Sequence, residues 1–109
     1  MQPLTISVSE RAGWIDVTLV GELEVRTAPQ LRQTLQEVQY GRGARVVLDL
    51  NGLEFLDSFG MGVIVGGLKR ARSNDGALVV AVRGGRIRRL FEVTGLDAVL
   101  RVVAEPSEA

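Results

Sequence analysis

Between Arg45 and Lys69 the hydrophobic period of the chain changes once, and a serine sits close to the change. Arg45-Val46-Val47-Leu48-Asp49-Leu50 is a β-branched apolar run of the kind that forms a buried strand. After a short connection containing Asn51-Gly52, apolar residues recur at helical spacing from about Ser58 to Ser73. A strand feeding directly into a helix commits this half of the chain to an α/β arrangement. Asp57 precedes the helix as its N-cap, placed to accept hydrogen bonds from the free amides of Phe59 and Gly60. Ser58 is then the first helical residue, at the positive end of the helix dipole, where a phosphate on its hydroxyl would be stabilised.

The helix is unusual in its glycines. Met61, Ile64, Val65, Leu68 and Ala71 form a stripe expected to face the core. Phe59, Val63, Gly67 and Arg70 form a second stripe, beside Gly62 and Gly66. Glycines at 60, 62, 66 and 67 each cost about 0.8–1.0 kcal/mol relative to alanine inside a helix. Close approach of the backbone to another surface offsets such a cost, whether that surface is the chain's own sheet or a partner.

The remaining elements follow from the same signals. Ile6 and Val8, then Trp14 to Val20, read as two strands joined by a turn at Glu10-Arg11-Ala12-Gly13, and Gly21-Glu22-Leu23-Glu24 reads as a strand end or solvated turn. Thr27 and Gln30 hold capping-box positions for a first helix with Leu31, Leu35 and Val38 inward, Pro29 in its first turn and Gly41 as its stop. Ala77 to Val82 has almost no polar face and is expected centrally in a covered sheet. Gly84-Gly85 opens a third helix with Ile87, Leu90, Phe91 and Thr94 on one face and Gly95 beyond its end. Val99 to Val103 is a last strand, and residues 104–109 read as a frayed or weakly helical tail. The 109 residues fit one domain, 1–109, with parallel, right-handed crossovers in a mixed sheet.

Composition closes several functional classes. The sequence has no histidine and no cysteine, so a Ser-His-Asp triad, a histidine base, a thiolate zinc site and a disulfide are all excluded. Thirteen basic residues balance thirteen acidic ones, giving no general attraction to nucleic acid or to an anionic membrane. No apolar run approaches a membrane span and no basic-then-apolar leader opens the sequence, so a cytoplasmic location is expected. Arg83, Arg86, Arg88 and Arg89 could form a phosphate or nucleic-acid patch, but without interleaved aromatics a solvated helix face is the better reading. Gly60-Met61-Gly62 lacks the third glycine of a dinucleotide fingerprint, since position 65 is valine. Gly67-Leu68-Lys69-Arg70 breaks the Walker spacing, and Ser58 lacks the flanking glycines of a nucleophile elbow. Asp49 at a strand end lacks the early acidic pair of a receiver domain.

Taken in order, Gly21-Glu22-Leu23-Glu24, Thr27-Ala28, Val47-Leu48-Asp49-Leu50, Asp57-Ser58-Phe59-Gly60-Met61-Gly62-Val63-Ile64 and Leu90-Phe91-Glu92-Val93-Thr94-Gly95-Leu96 carry a likeness to a known family. It resembles the STAS-domain anti-sigma factor antagonists of bacteria over essentially its whole length. The resemblance implies an α/β STAS-like domain, a mixed sheet of about five strands with helices mainly against one face. It also implies a non-enzymatic regulator without a cofactor. In such regulators a serine is phosphorylated by a partner that is both serine kinase and anti-sigma factor. The dephosphorylated antagonist binds that partner, which releases its sigma factor, and a PP2C-type phosphatase resets the switch. Carried over, Ser58 is the phosphoacceptor, and Glu22, Glu24, Asp57, Ser58, Phe59, Gly60, Gly62, Val63 and Gly66 form the partner-binding surface. Glu24 stands where the family usually has aspartate, and Phe59 where it usually has serine or threonine.

Phosphorylation adds about 1.5–2 negative charges at pH 7 beside Asp57 and near Glu54. In a packed interface an uncompensated charge costs on the order of 3–5 kcal/mol, or about two to four decades of affinity. Other readings remain: a STAS subunit of a stress-signalling or lipid-transport assembly, a small nucleotide-binding protein, or a Ser58 that only helps cap its helix while the last helix covers the second stripe.

Overall fold

The computed structural model describes residues 3–109; residues 1 and 2, included in the domain expected from sequence, lie outside the described residues. The order is β1 (Thr5–Arg11), β2 (Trp14–Leu23), α1 (Ala28–Val38), β3 (Arg45–Leu56), α2 (Ser58–Ser73), β4 (Ala77–Ala81), α3 (Arg86–Val93) and β5 (Arg101–Val103). Short 3₁₀ turns at Leu96–Ala98 and Pro106–Glu108 flank β5. The strands lie side by side in chain order, with β1 antiparallel to β2 and every later pair parallel. Alternate residues Val17 and Leu19, Val46, Leu48 and Leu50, and Leu78 and Val80 point to one face, where they pack with Leu31 and Leu35 of α1, Ile64 and Leu68 of α2 and Phe91 of α3. All three helices therefore cover the same face, as successive right-handed crossovers moving in one direction across a sheet require.

Two features of the sheet differ from the sequence expectation. Strand β3 continues for 12 residues, straight through Asn51-Gly52. A Cβ at Gly52 would lie 2.8 Å from the Leu19 carbonyl oxygen, and the β2–β3 register shifts nearby, between Thr18 and Val20 and between Gly21 and Glu22. The Asn-Gly pair thus lets two strands approach at a bulge instead of turning the chain. The centre of the sheet is β3, not β4, because β4 is followed by the three-residue edge strand β5.

The capping box expected at Thr27 and Gln30 is not formed. The Thr27 hydroxyl accepts from the Glu24 amide at 2.9 Å and donates to the Glu22 carbonyl at 2.8 Å, shaping the β2–α1 loop. Gln30 Nε2 instead donates to the Leu4 carbonyl at 2.9 Å, tying α1 to the start of β1.

The second face of the sheet carries Asp16, Val47, Asp49, Val79 and Ala81. Residues 104–109 lie against it. Arg11 donates to the Pro106 carbonyl at 2.7 Å while pairing with Asp16 at 2.8 Å, and Asn51 Nδ2 donates to the Ala104 carbonyl at 3.1 Å. Arg83 pairs with Glu105, and Arg101 donates to the Glu108 carbonyl at 2.7 Å. What reads as a frayed or weakly helical tail is a single turn of 3₁₀ helix held by four distant side chains.

Candidate functional site

Asp57 fixes the geometry around Ser58. Its backbone is extended (φ −108°, ψ −175°), which lets the side chain fold back over the helix start. Oδ1 accepts from the Gly60 amide and Oδ2 from the Val25 amide, both at 3.0 Å. The expected bond from Phe59 is replaced by one from the β2–α1 loop, so Asp57 ties that loop to the first turn of α2. The Asp57 amide adds a second tie, donating to the Leu23 carbonyl at 3.2 Å. Ser58 stands exposed on this clamped corner, as do Val25, 48% exposed, and Phe59, 59% exposed.

The four glycines of α2 divide by face. A Cβ on Gly60 would meet Leu23 Cγ and Leu56 Cδ1 at 2.7 Å, and one on Gly67 would meet Leu35 Cδ1 at 3.1 Å. A Cβ on Gly62 or Gly66 would meet nothing within 4 Å. The inner pair draws the helix onto the chain's own core, so the row that faces inward is Val63, Ile64, Gly67, Leu68 and Ala71. Of the stripe expected to face the core, Met61 is half-buried but packs against the core, whereas Val65 is half-buried and outside it. Two residues assigned to the partner surface are corrected by this rotation. Val63 is 4% exposed and Gly60 is packed against Leu23 and Leu56, so both support the surface from behind. Phe59 and Gly62, both exposed, and Gly66, half-buried but with room for a Cβ, remain as the outer row at helical spacing.

The carboxylates at the end of β2 are also less free than the sequence suggests. Glu24 is 8% exposed, and its Oε1 accepts from the Arg26 amide at 3.2 Å, so it stabilises the loop that Asp57 holds. Glu22 is half-buried and lies beside Phe55 of β3.

Three further residues reach this corner only through the fold. Val25 arrives through the Asp57 tie, and Leu90 and Thr94 of the α3 end line a cavity of about 240 Å³ with Leu56, Asp57, Ser58 and Met61. Leu90 and Thr94 belong to an amphipathic face, but only the fold brings that face to the serine.

The arginines near α3 are partly committed to the chain itself. Arg83 is bonded to Glu105, which holds its guanidinium above the usual range and firmly charged. Arg88 donates to the Val82 carbonyl at 3.1 Å and lies 3.9 Å from Glu92. Among the described residues, Arg86 and Arg89 form no ion pair. Gly60-Met61-Gly62 lies in the opening turns of α2 with Gly60 turned inward, so it forms no phosphate-cradling loop. Among the described residues no acidic cluster could hold a metal ion, and no helix is long and apolar enough to cross a membrane.

Comparison with known proteins converges on one family. Residues 5–109 match the STAS domain. The chain is 34% identical over 100 residues to the anti-sigma-B factor antagonist of Listeria monocytogenes, covering 91% of this chain and 88% of that protein. It is 33% identical over 99 residues to the anti-sigma-B factor antagonist of Staphylococcus aureus, covering 91% and 92%. Its fold superimposes on the crystal structure of an anti-sigma factor antagonist from Mycobacterium paratuberculosis with a TM-score of 0.87 at 28% identity, over 96% of this chain and 89% of that one.

Proposed function

The chain belongs to the STAS domain family, and from that premise we propose that it is an anti-sigma factor antagonist switched by phosphorylation of Ser58. Dephosphorylated, it binds an anti-sigma factor that is also a serine kinase, and the kinase then releases its sigma factor. A PP2C-type phosphatase restores the binding state, and the cycle runs in the cytoplasm. The protein acts by occupying a partner, not by catalysis, and ATP and metal belong to the kinase.

One observation carries this reading: Ser58 is exposed at a clamped helix start beside Phe59 and Gly62, also exposed, with half-buried Gly66 a turn further on and open space where its side chain would be. The helix N-terminus and solvent tolerate a phosphate there in the free protein. A partner packed on Phe59 and the bare glycine backbone removes the solvent and leaves the charge beside Asp57 without compensation. One covalent change thus abolishes binding without altering the fold. Val63 and Gly60 set the position of this surface without touching the partner, and Glu24 with Asp57 holds the loop at its edge.

Capture from a lysate of the native host, with wild-type and Ser58→Glu baits side by side and mass spectrometry of the bound proteins, tests the proposal. Recovery of an ATP-binding serine kinase on wild type and much less on Ser58→Glu is expected. Equal recovery on both baits, or recovery only of stress-complex or transport subunits, would remove the role given to Ser58.

A further inference from the structure

The cavity beside Ser58 has a neighbour in line with it. A second cavity, of about 460 Å³, opens at the other end of α3 and includes Leu53, Glu54, Arg83, Arg86 and Ile87 in its wall. The same two elements line both cavities. The β3–α2 segment supplies Leu53 and Glu54 to one and Leu56 and Asp57 to the other, and α3 supplies Arg86 and Ile87 to one and Leu90 and Thr94 to the other. Arg86 and Leu90 are one helical turn apart, about 6 Å along the axis.

The two ends differ in chemistry. Beside Ser58 the floor is Leu56, Met61 and Leu90, and a volume of about 240 Å³ is below the roughly 300–1,000 Å³ of small-molecule sites. That space suits one large apolar side chain. At the far end Arg86 is exposed and makes no ion pair among the described residues, while Arg83 keeps its bond to Glu105. Glu54 on the opposite wall, with Asp57 further along, disfavours a polyanion such as nucleic acid but leaves Arg86 open to a single carboxylate.

We propose that this groove along α3 is a docking channel for a segment of the partner protein, one that places a carboxylate on Arg86 and a large apolar side chain in the cavity beside Ser58. In extended chain, at about 3.3 Å per residue, the two anchors stand about two residues apart. The proposal rests on the reading of Ser58 above and gives it a local cause: a phosphate on Ser58 places its charge at the lip through which the apolar anchor enters.

The test uses a random dodecapeptide library displayed on phage and selected on the immobilised full chain. Enriched peptides are then synthesised with a fluorescent label and titrated by anisotropy. Enrichment of Asp or Glu about two positions from Leu, Met or Phe is expected. Affinity should fall roughly tenfold or more on Arg86→Glu and on Ser58→Glu. A peptide with Lys in place of its acid should prefer Arg86→Glu to wild type. No enrichment, enrichment without an acid, or equal affinity for wild type and Arg86→Glu would overturn the channel. An Arg86→Glu bait also separates the two proposals in the lysate experiment. Kinase recovered on it as on wild type removes the channel and leaves the Ser58 switch, whereas Arg86-dependent peptide binding with no kinase recovered supports the channel and removes the switch.

Discussion

On the inner face of α2 a methyl group at Gly60 would collide with Leu23 and Leu56 at 2.7 Å, whereas on the outer face one at Gly62 or Gly66 would enter open space. Both pairs weaken the helix by the same mechanism, an unrestrained backbone in the unfolded chain. For the inner pair the reason lies within the molecule, since glycine lets α2 sit close on β2, β3 and α1. For the outer pair no such reason exists, and the free protein bears about 2 kcal/mol of lost helix stability for it. Glycines retained on a bare face next to an exposed phenylalanine and serine fit a surface shaped for the backbone-close approach of another protein.

Alanine substitutions along the helix and its cap separate the two faces. Gly60→Ala should have the largest effect, about 1–3 kcal/mol of destabilisation from overpacking against Leu23 and Leu56. Thermal melts would show it as a loss of about 4–8 °C for each kcal/mol. Asp57→Ala comes next, at about 0.5–2 kcal/mol in urea denaturation. It should also accelerate hydrogen exchange at both Gly60 and Val25, because one carboxylate serves both amides. Gly62→Ala and Gly66→Ala should each stabilise the free protein by about 0.8–1.0 kcal/mol while reducing kinase capture. Destabilisation by either would mean that the outer face packs against the chain after all, and would break the comparison. Gly67→Ala should be the smallest, within about 0.5 kcal/mol of neutral, because the helix gain is offset by mild crowding of the Leu35 and Leu78 side-chain tips.

Local signals in the sequence carried the corner around Ser58 further than they carried its surroundings. Asp57 and Ser58 are legible because a cap and a first helical residue are set by neighbours in the chain. The facing of α2 is legible only in part: Ile64, Leu68 and Ala71 read as core and are buried, but glycines interrupt both apolar rows and their difference appears only against Leu23, Leu35 and Leu56. That is why Val63 reads as surface and Val65 as core. The length of β3 is hidden by an Asn-Gly pair whose role depends on the Leu19 carbonyl across the sheet. Gln30 looks like a capping-box partner because the Leu4 carbonyl it reaches is 26 residues away. The same holds for the last six residues, whose anchors Arg11, Asn51, Arg83 and Arg101 are spread along the chain. The order of strands and helices, by contrast, follows from period and from crossover handedness, and the sheet has that order.

The central claim is that the exposed face of α2 around Ser58 binds its partner only without a phosphate. Calorimetric titration of the captured kinase with the unmodified protein, and with the same protein stoichiometrically phosphorylated on Ser58, measures this directly. The phosphorylated form should bind about a hundredfold or more weakly, the lower end of the cost of an uncompensated interface charge, while its circular dichroism and melting curve stay those of the unmodified protein. Equal affinities with an unchanged fold would contradict the account.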